Sequence, residues 1–453
     1  MTTNKDILKN VVAGLTVSFV ALSLGAAFGI LSGRGAFAGM LSSALIATVT
    51  SVLGGTRIQC SGPTGPMTAA TATLIALAHD TVLNVAPGVN PDHLVNMGIL
   101  LGGFFMIMFG VLRLGKYITI VPNVVISGFM NGIAIIIWLD QIKRLFGLGG
   151  KTAIGGLMWE NIVLAGSSVF FVFFFQQIVQ KAKSRIYGLF SGTLITLFLM
   201  TLIAYFLFPD IERVSLVGSI KNIGDITTLV TSQIPTEWTW GLVILLTPFA
   251  LQMAVLGYLD TLMTSLVIDK MNKEKTKANK ELVAQGVSNS LVALVGGIPG
   301  AQATIRSVLM VKEKASMRLA GILVGVFAFI EMIIFQDLVN LIPQAVFSGI
   351  LLKVGYDVFD WLPVKLYLKE IQRGPIKLLK NFFSRHDYEK IFVTNREMII
   401  ILGTASVTVL FNLNAAVAIF TIIFYLHNKV LVRHNPMRDL KPKTETEVFI
   451  DEL

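Results

Sequence analysis

The chain has 453 residues, of which 54% are hydrophobic and 14% are charged, and its mean hydropathy is +0.73. This composition excludes an ordinary soluble domain and indicates one large membrane domain. The net charge of +10 does not indicate a nucleic-acid partner, because the basic residues lie in short loops between apolar runs and can orient the chain in a membrane. The single cysteine, Cys60, excludes an intrachain disulfide and a cysteine-based metal site.

The first apolar run begins near Leu8 and is too long for a cleavable signal peptide, so we expect it to be the first membrane span. A span needs roughly 20 mostly apolar residues, and about fourteen elements are predicted by that rule. The third and tenth elements are predicted to be half-helices preceded by extended chain. The elements are Leu8–Leu31, Ala36–Leu53, Cys60–Ala78, Leu94–Leu112, Ile118–Leu139, Ile162–Val179, Tyr187–Phe208, Trp240–Val267, Leu282–Val295, Ala301–Val311, Leu319–Phe335, Leu338–Val358, Met398–Phe411 and Ala415–Tyr425.

Lysine and arginine concentrate in alternate loops of this series. With the N-terminus inside, the outer loops are poor in basic residues, and none occurs between Asp80 and Asp92. This positive-inside bias predicts a multi-pass protein of the inner or plasma membrane with both termini cytoplasmic. The exceptions on the outer side are Lys143, Arg144 and Lys151.

Two stretches place proline and glycine inside apolar runs, namely Cys60–Thr68 (CSGPTGPMT) and Gly296–Thr304 (GGIPGAQAT). Unpaired backbone amides in hydrocarbon cost several kcal/mol each, so a broken backbone at membrane depth persists only inside protein or around a wet cavity. A matched pair of such breaks, one in each half of the chain, is typical of the substrate site of a secondary transporter. The alternative is a pair of ordinary proline kinks between packed helices.

The chain also repeats a motif in its second half. The segment Ile120–Gly128 (IVPNVVISG) returns as Leu341–Gly349 (LIPQAVFSG), and aligning Pro63 with Pro299 sets Thr68 opposite Thr304. Seven elements separate the members of each pair. An odd number makes the second copy cross the membrane in the opposite sense, which predicts an inverted repeat.

The chemistry near the two breaks indicates an anion site. Helix N-termini present free amides and the positive end of the helix dipole, both of which attract an anion. The nearby hydroxyls of Thr64, Thr68 and Thr304 and the amide of Gln302 suit a small hydrated oxyanion. Arg306 adds the strong positive charge near the pair, and its alternative role is a structural ion pair with Asp260 or Glu281. These candidates are Thr64, Thr68, Gln302, Thr304 and Arg306.

Asp260 indicates a cation beside the anion. It lies deep in a long apolar run, and Thr264, four residues later, shares its helix face. A carboxylate, a hydroxyl and backbone carbonyls form a hard oxygen site for a small cation, and the hydroxyl favours sodium over a proton. A proton on Asp260 and a packed structural carboxylate are the alternatives. No nucleophile–base arrangement and no phosphate-loop spacing appears, so we expect neither an enzyme nor an organic cofactor.

Four motifs resemble the sulfate-permease (SulP) anion transporters. They are Ser61–Met67 (SGPTGPM), Ile126–Ile133 (ISGFMNGI), Asn279–Gly286 (NKELVAQG) and Gly296–Gly300 (GGIPG), which continues to Arg306. The resemblance runs from about Leu8 to about Val430 and implies an all-α fold of seven plus seven inverted segments. It implies a transmembrane domain over 1–432, with a core at about 8–115 and 239–336 and a gate at about 116–238 and 337–432. A short cytoplasmic tail, 433–453, stands where the family usually continues into a STAS domain.

Within that family, the segments around Asp260 and Thr304 are most similar to the sodium-dependent bicarbonate transporters of cyanobacteria. One departure is Gln302, which stands where we would expect glycine. The resemblance implies a sodium site and a substrate site at matching positions. The implied sodium ligands are Asp260, Thr264, Gln302 and Thr304, and the implied substrate-binding residues are Thr64, Gly65, Met67, Thr68, Gln302, Ala303, Thr304 and Arg306.

Together with the residues, this resemblance implies a sodium-coupled bicarbonate symporter that works by an elevator-type mechanism, moving the core past the gate. The expected partners are a small inorganic anion, membrane lipid and a second copy of the chain, with a homodimer formed through the gate. One alternative is a proton-coupled permease for sulfate or another oxyanion. A second is an anion channel or exchanger, which would need no coupling cation.

Overall fold

The computed structural model describes residues 4–84, 88–149, 153–181, 192–213, 223–373, 393–411, 413–431, 436–437 and 439–440. Most of the described chain is helical, and two short strands pair with each other. The helices are α1 (Asn4–Ser32), α2 (Gly35–Leu53), α3 (Gly65–Asn84), α4 (Pro91–Val111), α5 (Asn123–Phe146), α6 (Met158–Lys181), α7 (Gly192–Leu207), α8 (Ile223–Gln233), α9 (Trp240–Asn272), α10 (Ala278–Ala293), α11 (Thr304–Lys312), α12 (Arg318–Val339), α13 (Gln344–Val358), α14 (Trp361–Arg373), α15 (Asn395–Leu410) and α16 (Leu413–Leu426). The strands are β1 (Ser61–Pro63) and β2 (Gly300–Gln302).

Helix lengths support a membrane protein. Within the described residues, six helices are long and apolar enough to cross a membrane, namely α1, α2, α4, α5, α6 and α9. Helix α7 and the last helical segment, from Ala415 to Leu431, are apolar but shorter. The total of fourteen spans therefore stays a prediction. The start of the predicted span Tyr187–Phe208 and nearly all of the tail 433–453 lie outside the described residues.

Two predicted spans, Ile118–Leu139 and Leu338–Val358, are wrong at their starts. Helix α5 begins only at Asn123, after a 3₁₀ helix over Leu114–Ile120, and α13 begins only at Gln344. In each case a proline, Pro122 or Pro343, stands immediately before the first residue of the helix. Proline has no backbone N–H and is accommodated best at the start of a helix, so each of these helices begins directly after its proline. Helices α8 and α14 were not among the predicted spans.

The described chain divides into two compact units. The first comprises Met1–Lys116 and Gln141–Lys353, and the second comprises Tyr117–Asp140 and Val354–Leu453. Both broken segments belong to the first unit. The predicted core at 8–115 and 239–336 also falls in the first unit, together with 141–238 and 337–353 from the predicted gate. The division into core and gate stays a prediction.

Small residues allow the helices of the first unit to approach closely. Helix α1 packs against α2 and α12. An added Cβ at Gly39 of α2 would meet the backbone of Gly25 and Gly29 on α1. A polar contact also joins α1 to α12, because the Ser18 hydroxyl donates to Glu331 Oε1 at 2.6 Å in the buried interior. Small residues at such positions are typical of helix pairs in membranes.

The two copies of the repeated motif make matching helix contacts. A Cβ at Gly128 of α5 would meet the carbonyl of Ile401 and the side chain of Thr404 on α15. A Cβ at Gly349 of α13 would likewise meet a carbonyl and a hydroxyl-bearing side chain on α6, those of Ala165 and Ser168. In both copies the glycine of the motif thus allows a second helix to approach closely. The inverted repeat as a whole stays a prediction.

We expect Gly39→Ala to lower stability, because the new methyl group would collide with backbone atoms of α1 that only a helix shift can move. Overpacking of this kind costs about 1–3 kcal/mol. Thermal unfolding in detergent measures it, with Gly166→Ala as the matched control because no atom lies within 4 Å of its added Cβ. Equal melting temperatures for the two variants would contradict the close contact.

Candidate anion and cation site

Strands β1 and β2 bring the two broken segments together. They pair antiparallel, with Ser61 opposite Gln302 and Pro63 opposite Gly300. Helix α3 begins two residues after β1, and α11 begins two residues after β2. Extended chain therefore precedes each helix, as predicted, and because the strands are antiparallel the two helices start from opposite ends of this short ribbon. Helix α11 has 9 residues and α3 has 20, so the half-helix assignment is not confirmed.

Glycine is required where these segments touch. A Cβ at Gly300 would collide with the backbone of Gly62, and a Cβ at Gly62 would lie 2.6 Å from Arg306 Nη1. The two strands can therefore approach each other, and the guanidinium can lie against β1, only because both positions lack a side chain. The glycines that broke the helical pattern in the sequence thus have a packing role.

Three polar side chains of α10 hold both segments in place. Glu281, Gln285 and Asn289 are spaced four residues apart, so they form one stripe on the helix, and all three are buried. Glu281 Oε2 accepts from the backbone N–H of Gly55 at 2.7 Å and of Thr56 at 2.8 Å. The stripe therefore supplies partners for backbone that no helix satisfies.

The other two members of the stripe bind the strands themselves. Gln285 Nε2 donates to Ser61 Oγ at 2.7 Å. Asn289 makes two bonds with Gly300, donating to its carbonyl at 3.0 Å and accepting from its N–H at 2.8 Å. Sequence analysis missed these roles, although a polar residue at every fourth position of an apolar helix was a visible signal.

Arg306 is buried beside β1 with spare hydrogen-bonding capacity. Its Nη2 donates to the Pro63 carbonyl at 2.8 Å, while Nε and Nη1 are buried without a hydrogen-bond partner. Among the described residues no salt bridge joins Arg306 to a carboxylate, and Glu281 is instead bonded to Gly55 and Thr56. The alternative of a structural ion pair with Asp260 or Glu281 therefore has no direct contact in this structure.

The predicted cation residues lie close to one another. The hydroxyls of Thr264 and Thr304 are 2.6 Å apart, which links α9 to the first residue of α11. Asp260 interacts with the Thr64 hydroxyl and, electrostatically, with the charge of Arg306. Its Oδ2 is buried without a hydrogen bond of good geometry, as is Thr64 Oγ1. Buried polar atoms are usually bonded, so these oxygens are available to a small ligand.

The Gln302 side chain turns into a polar network. Its Oε1 accepts from Ser265 Oγ at 2.7 Å and from Thr56 Oγ1 at 3.4 Å. Its backbone N–H donates to Thr261 Oγ1 at 3.3 Å. The side-chain oxygen is therefore held by two hydroxyls, whereas Nε2 is buried without a partner. The Nε2 amide group of Gln302 is therefore available to donate a hydrogen bond to a ligand.

The remaining candidates occupy different surroundings. Gly65 is the first residue of α3, and Ala303 precedes α11, with its N–H bonded to the Cys60 carbonyl at 3.1 Å. Thr68 is buried in the first turn of α3, and its hydroxyl has no partner. The side chain of Met67 instead lines a small apolar cavity with Met106, Met253 and Pro299.

A further arginine, Arg34, immediately precedes α2 and supports the second segment. Arg34 Nη1 donates to the Gly297 carbonyl at 3.4 Å, and Nη2 donates to the Asp92 carbonyl at 3.2 Å. Burial lowers the pKa of Arg34 to about 10, although nearby Asp92 opposes that shift. Within α2, Ser42 Oγ accepts from the Ile298 N–H at 2.7 Å. Sequence analysis did not single out Arg34.

Comparison with known families identifies the chain. The sulfate permease family model matches residues 7–373. The chain belongs to the sulfate permease family. This confirms the resemblance drawn from the motifs and makes the chain a multi-pass membrane protein of a transporter family.

Individual relatives agree with this sulfate permease assignment. The chain is 34% identical over 376 residues to the bicarbonate transporter BicA of a Picosynechococcus strain, covering 79% of this chain and 62% of the relative. It is 32% identical to BicA of a Synechocystis strain, covering 77% and 60%. The chain thus spans about six-tenths of the length of these relatives. It is 28% identical to a putative sulfate transporter, YvdB, of Bacillus subtilis, covering 90% and 71%.

Solved structures have the same architecture. The transmembrane domain of a cyanobacterium bicarbonate transporter, BicA, superposes with a TM-score of 0.72 at 28% identity, covering 92% of this chain and 98% of that one. The murine Solute Carrier 26 family member A9 anion transporter, in an inward-facing state, gives a TM-score of 0.72 at 15% identity, covering 96% and 70%. The latter likeness concerns the fold alone.

We expect Asn289→Ala to destabilise this sulfate permease family member, because it leaves the buried N–H and carbonyl of Gly300 unpaired. An unsatisfied buried group costs about 1–3 kcal/mol. Ser290→Ala is the matched control, since the Ser290 hydroxyl bonds only its own helix, to the Gly286 carbonyl. Thermal unfolding compares the two variants. A melting temperature of Asn289→Ala as high as that of the control would show that the stripe does not hold β2.

Proposed function

We propose that the chain is a sodium-coupled bicarbonate symporter that works by elevator-type alternating access. The observation that carries the proposal is the cluster around the two helix starts. There Asp260 and the Thr264–Thr304 hydroxyl pair lie near the unpaired donors of Arg306. One place thus offers ligands to a cation and to an anion, as coupled transport requires.

The anion would bind at the starts of α3 and α11. Backbone N–H groups and helix dipoles attract negative charge at such ends. The Thr68 hydroxyl and the free Arg306 Nε and Nη1 add donors. A small, planar oxyanion can accept several bonds at once, and an arginine offers them in a fixed fork. The two relatives named bicarbonate transporters support bicarbonate as that anion.

Sodium would bind on the α9 side of the cluster. Asp260 would supply a carboxylate, Thr64 a hydroxyl oxygen that interacts with it, and Thr264, four residues along the same helix, a second hydroxyl that pairs with that of Thr304. Hard oxygen ligands suit a small hard cation. The Gln302 side-chain oxygen is a weaker candidate ligand, because it already accepts from Ser265 and Thr56. Sodium bound there would add positive charge next to the anion, which couples the two binding events.

Proton-coupled transport of sulfate is the second candidate function. The 28% identity to a putative sulfate transporter favours it, and a buried carboxylate such as Asp260 can carry a proton. The Thr264–Thr304 pair favours sodium, because hydroxyls would add little to a proton site. The same proposal includes a homodimer formed through the gate. It also includes cytoplasmic N- and C-termini and a movement of the core past the gate.

The deciding experiment is uptake of radiolabelled bicarbonate and sulfate into proteoliposomes with and without an inward sodium gradient. We expect concentrative bicarbonate uptake only with sodium. Sulfate uptake driven by a pH gradient would replace the proposal with the second candidate. Passive flux of either anion, without any coupling ion, would indicate a channel.

We expect Asp260→Asn to abolish sodium-driven uptake and Thr264→Ala to weaken apparent sodium affinity. Loss of a neutral oxygen ligand costs about 1.5–3 kcal/mol, which is roughly 10- to 100-fold in affinity. Thr247→Ala is the control, because Thr247 lies on the same helix and bonds only the Val243 carbonyl. Sodium titration of uptake measures all three. Concentrative, sodium-driven uptake by Asp260→Asn would contradict the cation assignment.

We expect Gln302→Gly to change the preference among bicarbonate, sulfate and chloride, because it removes the unpaired Nε2 donor and enlarges the site. Competition of the three anions for labelled uptake gives the ranking. Ala301→Gly is the matched control, since it adds a glycine to the same strand and leaves the carboxamide intact. An unchanged ranking in Gln302→Gly would mean that Gln302 lies outside the selectivity pocket.

A further inference from the structure

Helix α14 is amphipathic and too short to cross a membrane. Its 13 residues extend about 20 Å at 1.5 Å per residue, whereas the hydrocarbon is about 30 Å thick. Val364, Leu368 and Ile371 recur at helical spacing, as do Lys365 and Lys369 on the neighbouring face. A helix with one apolar and one basic face lies in the plane of the membrane interface.

The exposure of this helix shows which side is free. Leu368 is 51% exposed, and Lys365 and Lys369 are exposed on either side of it along the chain. Neither lysine forms a salt bridge within the part of the chain that the structure describes. An exposed leucine with an exposed ammonium group on either side suits the boundary between acyl chains and headgroups, where lysine stems lie along apolar surface and their charges reach the polar layer.

Aromatic side chains cluster at the start of the same helix. The Trp361 ring lies 4.4 Å from Phe359 and 5.0 Å from Tyr356 between centroids. Phe359 also stacks on Trp138 at 5.6 Å. The Trp361 Nε1–H donates to the Tyr356 carbonyl at 3.0 Å. Tryptophan and tyrosine concentrate at the headgroup level of membranes, so this cluster indicates the depth at which α14 begins.

The other half of α14 is tied to the fold rather than free. The Tyr367 hydroxyl donates to Asn395 Oδ1 at 2.7 Å, at the first residue of α15. The helix is therefore held at both halves, and its exposed lysines keep a set orientation. Side chains four residues apart on a helix lie about 5–6 Å apart at Cβ, so two ammonium groups can approach one phosphate.

We propose that α14 lies in the membrane–water interface and binds the headgroup of an anionic phospholipid through Lys365 and Lys369. The charge of the lysines selects a negative headgroup, and Leu368 enters the upper acyl region beside it. A free phosphate would satisfy the lysines but would leave the exposed side chain of Leu368 in water. The apolar and the charged faces together therefore favour lipid.

The test uses the full chain with Leu368→Cys, labelled with a bimane fluorophore and reconstituted in phosphatidylcholine vesicles. Cys60 is buried, and the labelled wild type measures any background reaction. A small fraction of spin-labelled phosphatidylglycerol or spin-labelled phosphatidylcholine then quenches the fluorophore. We expect stronger quenching by phosphatidylglycerol at low salt, since each lysine near the surface enriches an anionic lipid about fivefold.

The double variant Lys365→Gln/Lys369→Gln should reduce the phosphatidylglycerol preference to that of phosphatidylcholine. Lys277→Gln/Lys280→Gln is the matched control, because it removes two other exposed lysines, and it should keep the preference. Equal quenching by both lipids in the parent would overturn the headgroup site. Quenching by aqueous iodide alone would place α14 in water. Loss of the preference on adding inorganic phosphate at constant ionic strength would assign the site to a free anion.

Discussion

The satisfaction of backbone polar groups at two broken segments is the constraint on which the rest of this structure depends. A chain that leaves its helices within a membrane protein must find partners for each exposed N–H and carbonyl. Strands β1 and β2 partner one another, and the Glu281–Gln285–Asn289 stripe of α10 binds Gly55, Thr56, Ser61 and Gly300. Since α10 also packs closely against α4 and α2, the segments are anchored to the most buried part of the first unit.

Several site residues keep polar atoms that no other group binds. Arg306, which also donates to the Pro63 carbonyl, Asp260 and Thr68 each have buried atoms without a hydrogen-bond partner. Such atoms cost stability unless a ligand or water binds them, and proteins retain that cost mainly at functional sites. Gln302 is intermediate, because Ser265 and Thr56 hold its oxygen while its nitrogen stays unpaired. The Gln302 side chain is thus fixed by the fold through its oxygen, while its nitrogen remains available to a ligand.

Close helix contacts recur at equivalent points of the two halves. Gly128 and Gly349 each accept a neighbouring helix at backbone distance, and each follows a proline and a serine in the repeated motif. The same local sequence therefore gives a close helix contact in each half of the chain. Such contacts gain dispersion energy without a hydrophobic driving force, which is why small residues carry them in membranes.

The sequence by itself determined that the chain lies in a membrane, which family it belongs to and where its helices are interrupted. The apolar composition requires a membrane environment. Proline and glycine around Pro63 and Pro299 prevent continuous helices, because each of them acts on the backbone next to it. The chemistry of Asp260, Thr264 and Arg306 was also visible, because charged and hydroxyl groups are rare in apolar runs. The first residues of α5 and α13 also have a local cause, and Pro122 and Pro343 could have predicted them.

Only the tertiary structure decided which distant groups meet. Glu281 binds Gly55 and Thr56, more than two hundred residues away in the chain, and Arg34 reaches Gly297 from the other half of the sequence. Helical periodicity shows which residues share a face but not what that face contacts. The position of the Gln302 side-chain oxygen likewise depends on Ser265 and Thr56, which approach it only when α9 and the loop between α2 and β1 pack beside β2. Partners set by packing between separate elements have no local signature, and that is the physical reason the sequence did not reveal them.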